Sequence, residues 1–93
     1  MDQPLRASDA RRLIRAILED GTAVFTDHAR EEMAKDHLTD VDALNALRGG
    51  AVDEAEWENG AWRHRVRTQR MAFVIELQSE NELVVVTGWR TDR

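Results

Sequence analysis

The chain has 93 residues, no cysteine and a formal net charge of −5, which gives one domain, excludes disulfides and thiolate metal sites, and argues against a simple nucleic-acid coat. A single domain of this length, residues 1–93, buries only about 60–65% of the surface its unfolded chain exposes, so any site has to sit on one sheet or on the helices against it. The opening MDQPLRASDA holds no apolar stretch able to act as a signal peptide, and no segment approaches the roughly 20 apolar residues that span a bilayer. A cytoplasmic protein with no membrane contact is therefore expected.

In chain order, Ser8 can cap a first helix in which Ala10, Leu13, Ile14, Ile17 and Leu18 recur at helical spacing, with Gly21 just past its end. TAVFT, residues 22–26, is apolar and β-branched and reads as a short strand. Thr26 or Asp27 then caps a second helix, HAREEMAKD, with Ala29 and Met33 one turn apart. TDVD, from Thr39, is a capping box with Asp in place of Glu; it opens a third helix striped by Val41, Leu44 and Leu47 and ended by Gly49-Gly50.

From there the period changes to two. AVDEAEW reads as an acidic edge strand, Asn59-Gly60 as a hairpin turn, and AWRHRVRT as an alternating strand; MAFVIEL and LVVVTGWR are apolar strands separated by the polar turn QSENE. Strands joined by short turns pair antiparallel. The predicted fold is α+β: helix, strand, helix, helix, then an antiparallel meander with the helices on one sheet face and the other face partly open.

Charge is distributed unevenly. Residues 1–60 carry a net of −7 and residues 61–93 a net of +2, with four arginines and no acid between Ala61 and Arg70. Arg63, Arg65 and Arg67 alternate, so they share one face of a strand, spaced about 6.6 Å apart. Guanidinium groups grip phosphate bidentately and keep their charge at neutral pH, so such a ladder on an open face is a phosphate rail. It is equally a set of cross-strand partners for the acidic DEAEWE, and both readings hold if only one or two arginines are neutralised.

Of the three histidines, His28 begins the second helix, where unsatisfied backbone N–H groups favour anions and a neutral imidazole suited to general-base work. A helix-start histidine bonded to a nearby carbonyl is the alternative. His64 shares a face with Trp62 and Val66 and belongs against the helices, and His37 falls in the loop between helices two and three. No pair of histidines has metal-ligand spacing, so no metal is expected. Trp62 fits core filling, whereas Trp89, followed by Arg90 at the end of the last strand, is placed to stack a base. There is no phosphate-cradling glycine loop, nucleophile motif or paired-carboxylate signature.

FTDHAREEMAKDHLTDVDALNAL resembles the opening of the domain-of-unknown-function family numbered 4258: a His-Ala pair (His28, Ala29), a methionine four residues on (Met33), then Leu38-Thr39 leading to Val41 at the start of the next helix. WRHRVRTQRMAFVIEL and LVVVTGWR look like the closing strands of that family, so the resemblance covers about residues 13 to 90. One departure is Glu32, where the family often has arginine. That family looks related to the RelE-like and MqsR-like toxin fold. The resemblance implies a metal-free and cofactor-free endoribonuclease held inactive by an antitoxin, with RNA and an antitoxin protein as partners. It implies functional side chains on the concave sheet face and the nearby helix start, here His28, Arg63, Arg65, Arg67, Thr87 and Arg90. On this reading the RNA 2′-OH attacks its own phosphate. His28 removes the proton, Arg65 and Arg67 hold the phosphate, and Arg63, Thr87, Trp89 and Arg90 bind substrate. No residue is assigned as general acid. The alternative is a non-catalytic module that binds RNA or protein through the same patch.

Overall fold

The computed structural model describes residues 1–92. The elements run α1 (Ala7–Asp20), β1 (Thr22–Phe25), α2 (Asp27–Lys35), α3 (Asp40–Gly49), β2 (Ala51–Val52), β3 (Glu56–Glu58), β4 (Ala61–Arg67), β5 (Met71–Leu77) and β6 (Glu82–Arg90). This is the expected α+β order, but the sheet is mixed rather than an antiparallel meander. Its strand order is β1-β6-β5-β4-β2, with β3 also on β4. β1 pairs parallel with β6, from Thr22 opposite Glu82 to Phe25 opposite Val85. β1 leaves α1 and runs straight into α2, so it has no neighbouring strand to form a hairpin with. Parallel pairing needs a long crossover, which everything from α2 to β5 supplies.

The acidic edge expected over 51–57 is two short strands. Val52 lies opposite Val66 and Glu56 opposite Arg63, so the edge spends one residue more than β4 over the same stretch. This bulge frees Asp53 to bend, while its N–H still donates to Arg65 O at 2.8 Å. Asn59 (φ 49°) and Gly60 (φ 80°) form the β3–β4 turn in the left-handed backbone that a two-residue hairpin requires.

One face of the sheet carries the core. Val66 lies opposite Phe73, His64 opposite Ile75, and Ile75 opposite Val85. These buried residues meet Ile14 and Ile17 of α1, Ala29 and Met33 of α2, and Leu47 of α3. A fully buried side chain of this size contributes about 1.5–3 kcal/mol relative to exposure, so these few anchors carry a large share of a small domain's stability. Gly88 stands opposite Phe73. A Cβ there would fall 2.4 Å from Phe73 Cδ1 and 3.3 Å from Met33 Cγ, so the ring occupies the space a side chain would need.

The helix signals held in part. Thr26 caps α2 by accepting from Ala29 N–H at 2.9 Å. Thr39 and Asp42 form the reciprocal capping box of α3. Ser8, however, lies inside α1, whose N-cap is Arg6 with no side-chain cap. The Ala7 N–H donates instead to Glu54 Oε1 at 3.1 Å, a carboxylate brought from the bulged edge to the positive end of the helix. Val41 is 64% exposed, and α3 buries Ala43, Ala46 and Leu47, because the capping box sets the helix phase so that Val41 turns outward. Among the described residues no helix is long and apolar enough to cross a membrane.

A candidate functional site on the outer face of the sheet

Strand alternation projects Arg63, Arg65 and Arg67 onto the face away from the helices, in three cross-strand rows. Arg65 lies opposite Val74, which faces Thr87; Arg67 lies opposite Ala72, which faces Trp89; Arg63, one residue beyond the paired His64 and Ile75, meets the Glu76 side chain. The open row of charge predicted from the alternation is largely neutralised. Arg63 Nε donates to Glu76 Oε2 at 2.9 Å, and the two side chains keep only 19% and 16% exposure. Arg67 forks onto Asp53, Nε to Oδ2 at 2.9 Å and Nη2 to Oδ1 at 2.7 Å, with both groups still accessible. The Arg67 hydrogen bonds hold the Asp53 carboxyl below its usual value, against a smaller opposing effect of desolvation.

Arg65 differs. Among the described residues it forms no ion pair. Its guanidinium carbon lies over the Trp89 ring, 5.6 Å from the centroid. Trp89 faces Ala72, whose small side chain leaves room for this diagonal contact. A guanidinium resting on an indole keeps its N–H rim available for an anion. Arg65 itself lines a recess of about 40 Å³ together with Asp53, Glu54, Glu56, Glu58, Arg63 and Val74. Those carboxylates repel phosphate, so an anion reaches Arg65 from the β6 side, across Thr87 and Trp89.

The remaining predicted residues do not converge on Arg65. Arg90 is on the helix side of β6, opposite Met71; its backbone N–H donates to Asp36 Oδ2 and its Nε to the Asp36 carbonyl, tying it to the C-terminal end of α2. His28 is exposed at the opposite end of α2, about 12 Å away along the axis at 1.5 Å per residue. The start of α2 is fixed beside β6, because Thr26 N–H donates to Val85 O and its hydroxyl donates to Val86 O. His28 thus starts α2 beside the Val85–Val86 stretch of β6, in the helix layer and away from Arg90. Glu32, where the resembled family often has arginine, pairs with Lys35, whose hydrogen bond holds its carboxyl low.

His64 is buried as the alternation predicts, with Nδ1 3.0 Å from the Asp53 carbonyl and Nε2 without a partner. Facing a carbonyl, Nδ1 is the donor of this hydrogen bond. Trp62 is half-buried and pairs edge-to-face with the exposed Trp57, centroids 5.3 Å apart, so it fills the hairpin rather than the centre of the core. His37 sits between α2 and α3 at φ 58°.

One residue that governs the site, Glu76, escaped the sequence reading, and a second, Asp53, was read only as the first acid of the DEAEWE run expected to pair with the arginines. Asp53 holds Arg67 through its carboxylate and His64 through its carbonyl. Glu76, the lone acid in MAFVIEL, meets the Arg63 side chain. The short turn after Arg67 carries the signal for Glu76, since pairing Arg67 with Ala72 leaves Arg63 facing residue 76. Asp53 is marked only as part of the acidic DEAEWE run, because its individual pairing with Arg67 depends on the bulge.

Fold and site together define an α+β protein whose helices cover one face of a mixed sheet and whose other face presents an arginine–tryptophan pair. No family model, curated protein or solved structure matches the chain.

Proposed function

We propose that the chain binds single-stranded RNA on the outer face of its sheet, with Arg65 gripping a phosphate, Trp89 offering a stacking surface and Thr87 contacting the sugar or base between them. The observation that supports this most is the Arg65 guanidinium, which among the described residues forms no ion pair and is braced on an indole, although the Asp53 charge acts on it from the neighbouring edge. A protein that needed these arginines only for its own sheet would be expected to pair all three. The contact is small: one guanidinium outside an ion pair, in a recess shared with four carboxylates and the Glu76-paired Arg63, fits one nucleotide step rather than a long track. Each phosphate contact to a single strand contributes a slope of about −0.7 in log K against log salt, so a shallow salt dependence of one or two such contacts is expected.

A second reading, cleavage of that RNA by 2′-OH attack in the manner of the resembled toxin-like fold, rests on the resemblance alone and requires His28, which starts α2 in the helix layer, to reach the opposite face that carries Arg65. His28 would remove the proton and Arg65 would offset charge on the phosphate oxygens. Arg67, already on Asp53, would serve only if that pair opens. The discriminating experiment incubates the pure protein with end-labelled RNA in EDTA. Retardation lost in Arg65→Ala supports the binding reading. Cyclic-phosphate ends that disappear in both His28→Ala and Arg65→Ala add the nuclease. An absence of both retardation and cleavage overturns both readings.

A further inference from the structure

β1 is an edge of the sheet, bonded to β6 on one side only. Thr22 N–H donates to Asn81 O and Thr26 N–H to Val85 O. Backbone groups alternate sides along a strand, so Ala23 and Phe25 turn their N–H and C=O groups to the open edge. Their side chains face the helix layer and border an open groove of about 330 Å³, formed with Ile17, Leu18 and Leu44 from α1 and α3. Arg30 closes one end, stacked 5.0 Å over Phe25 and hydrogen-bonded to Asp40. Asp40 is the sole acid on the groove wall, and it is therefore already neutralised.

The other wall is cationic. Arg48 lines the groove and donates to Asn45, while its backbone carbonyl accepts from Arg15 Nε at 3.2 Å, which ties the Arg15 side chain to the end of α3. Among the described residues neither arginine forms an ion pair. This is notable in a half of the chain with a net charge of −7. An unpaired strand edge, an apolar trough beneath it and the Arg48 guanidinium on its wall, with Arg15 bonded to the Arg48 carbonyl nearby, together specify an occupant.

We infer that the free side of β1 takes up an extended acidic segment of a partner protein as an added strand. Its apolar side chains enter the groove and its carboxylates meet Arg48 and Arg15. Main-chain bonds to Ala23 and Phe25 set the register, and the alternation of the incoming segment supplies selectivity. A second copy of this chain is a poor occupant, because its own β1, Thr-Ala-Val-Phe, brings no carboxylate to the arginines.

The test uses a fluorescein-labelled octapeptide alternating leucine or valine with aspartate or glutamate, and a control with lysine at every acidic position. Amide-resolved hydrogen exchange on the intact protein is the second readout. The acidic peptide is expected to bind and to slow exchange at the Ala23 and Phe25 amides. Arg48→Glu is expected to weaken binding by about tenfold or more, as reversal of a charge at an interface does. Arg48→Gln gives a smaller loss and guards against an effect of misfolding. The inference is overturned if the acidic peptide does not bind, if the lysine peptide binds equally well, or if protection falls outside β1. Self-association that protects the same amides also overturns it.

Discussion

Arg63 and Arg65 project from the same face of one strand, yet their loss should act on different properties. Truncation of Arg63 strands the Glu76 carboxylate, which keeps only a bond from Gln78 at 3.0 Å. Breaking a fully buried pair costs about 3–5 kcal/mol and an exposed one about 0–1. With both partners below one-fifth exposure, Arg63→Ala falls between these limits, at about 2 kcal/mol. In a domain of this size each kcal/mol is worth about 4–8 °C in Tm, so a drop of about 8–16 °C is expected. Arg65→Ala removes only a cation–π contact at an accessible site, worth about 0.5–1 kcal/mol of stability. Its loss should fall on RNA instead: about 1–3 kcal/mol, or roughly five- to 150-fold in affinity. Thermal unfolding by circular dichroism and anisotropy of a labelled single-stranded RNA at low salt measure the two effects. If Arg63→Ala leaves Tm unchanged but abolishes RNA binding, or if Arg65→Ala binds RNA as well as the parent, the division of labour on β4 is wrong.

The other predictions concern the frame that holds this face. Gly88→Ala should overpack the Phe73 contact and lower stability by about 1–3 kcal/mol in urea unfolding, with an unchanged denaturant midpoint refuting the close approach. Thr39→Ala removes a hydroxyl that serves the capping box of α3 and should cost about 1 kcal/mol by the same measurement. Asp53 has a lowered carboxyl pKa in the folded state, so its contribution is complete above the ordinary aspartate value, about 3.9, and is lost as pH falls through the lower folded value. The stability gap between wild type and Asp53→Asn, below about 1 kcal/mol for so accessible a pair, should be constant near neutrality and close only in strong acid. A gap that closes between pH 5 and 7 would show that another group controls it.

Much of the fold was legible because local chemistry agreed with the final structure. The Thr39–Asp42 box, the Asn59-Gly60 turn and the alternation of WRHRVRT each act over a few residues. The parallel seat of β1 was not legible, since four residues of apolar strand carry no mark of direction or partner. The site was half legible. Alternation put the three arginines on one face, and hairpin register held the pairing of Arg63 with Glu76. The capture of Arg67 by Asp53 depends on a one-residue bulge that local pattern does not reveal. Arg90 was drawn to the wrong surface by its nearness to Trp89, although adjacent residues in a strand point apart.

The position of β6 has a consequence for how the chain is made. It is the last of the six strands in sequence, yet it lies inside the sheet, between β1 and β5. While the ribosome has not yet released it, β1 has nothing to join, and α2 lacks the surface that Thr26 hooks onto. β1 and α2 therefore settle only once β6 is in place, whereas α1 and α3 already have each other and β2, β4 and β5 to pack against.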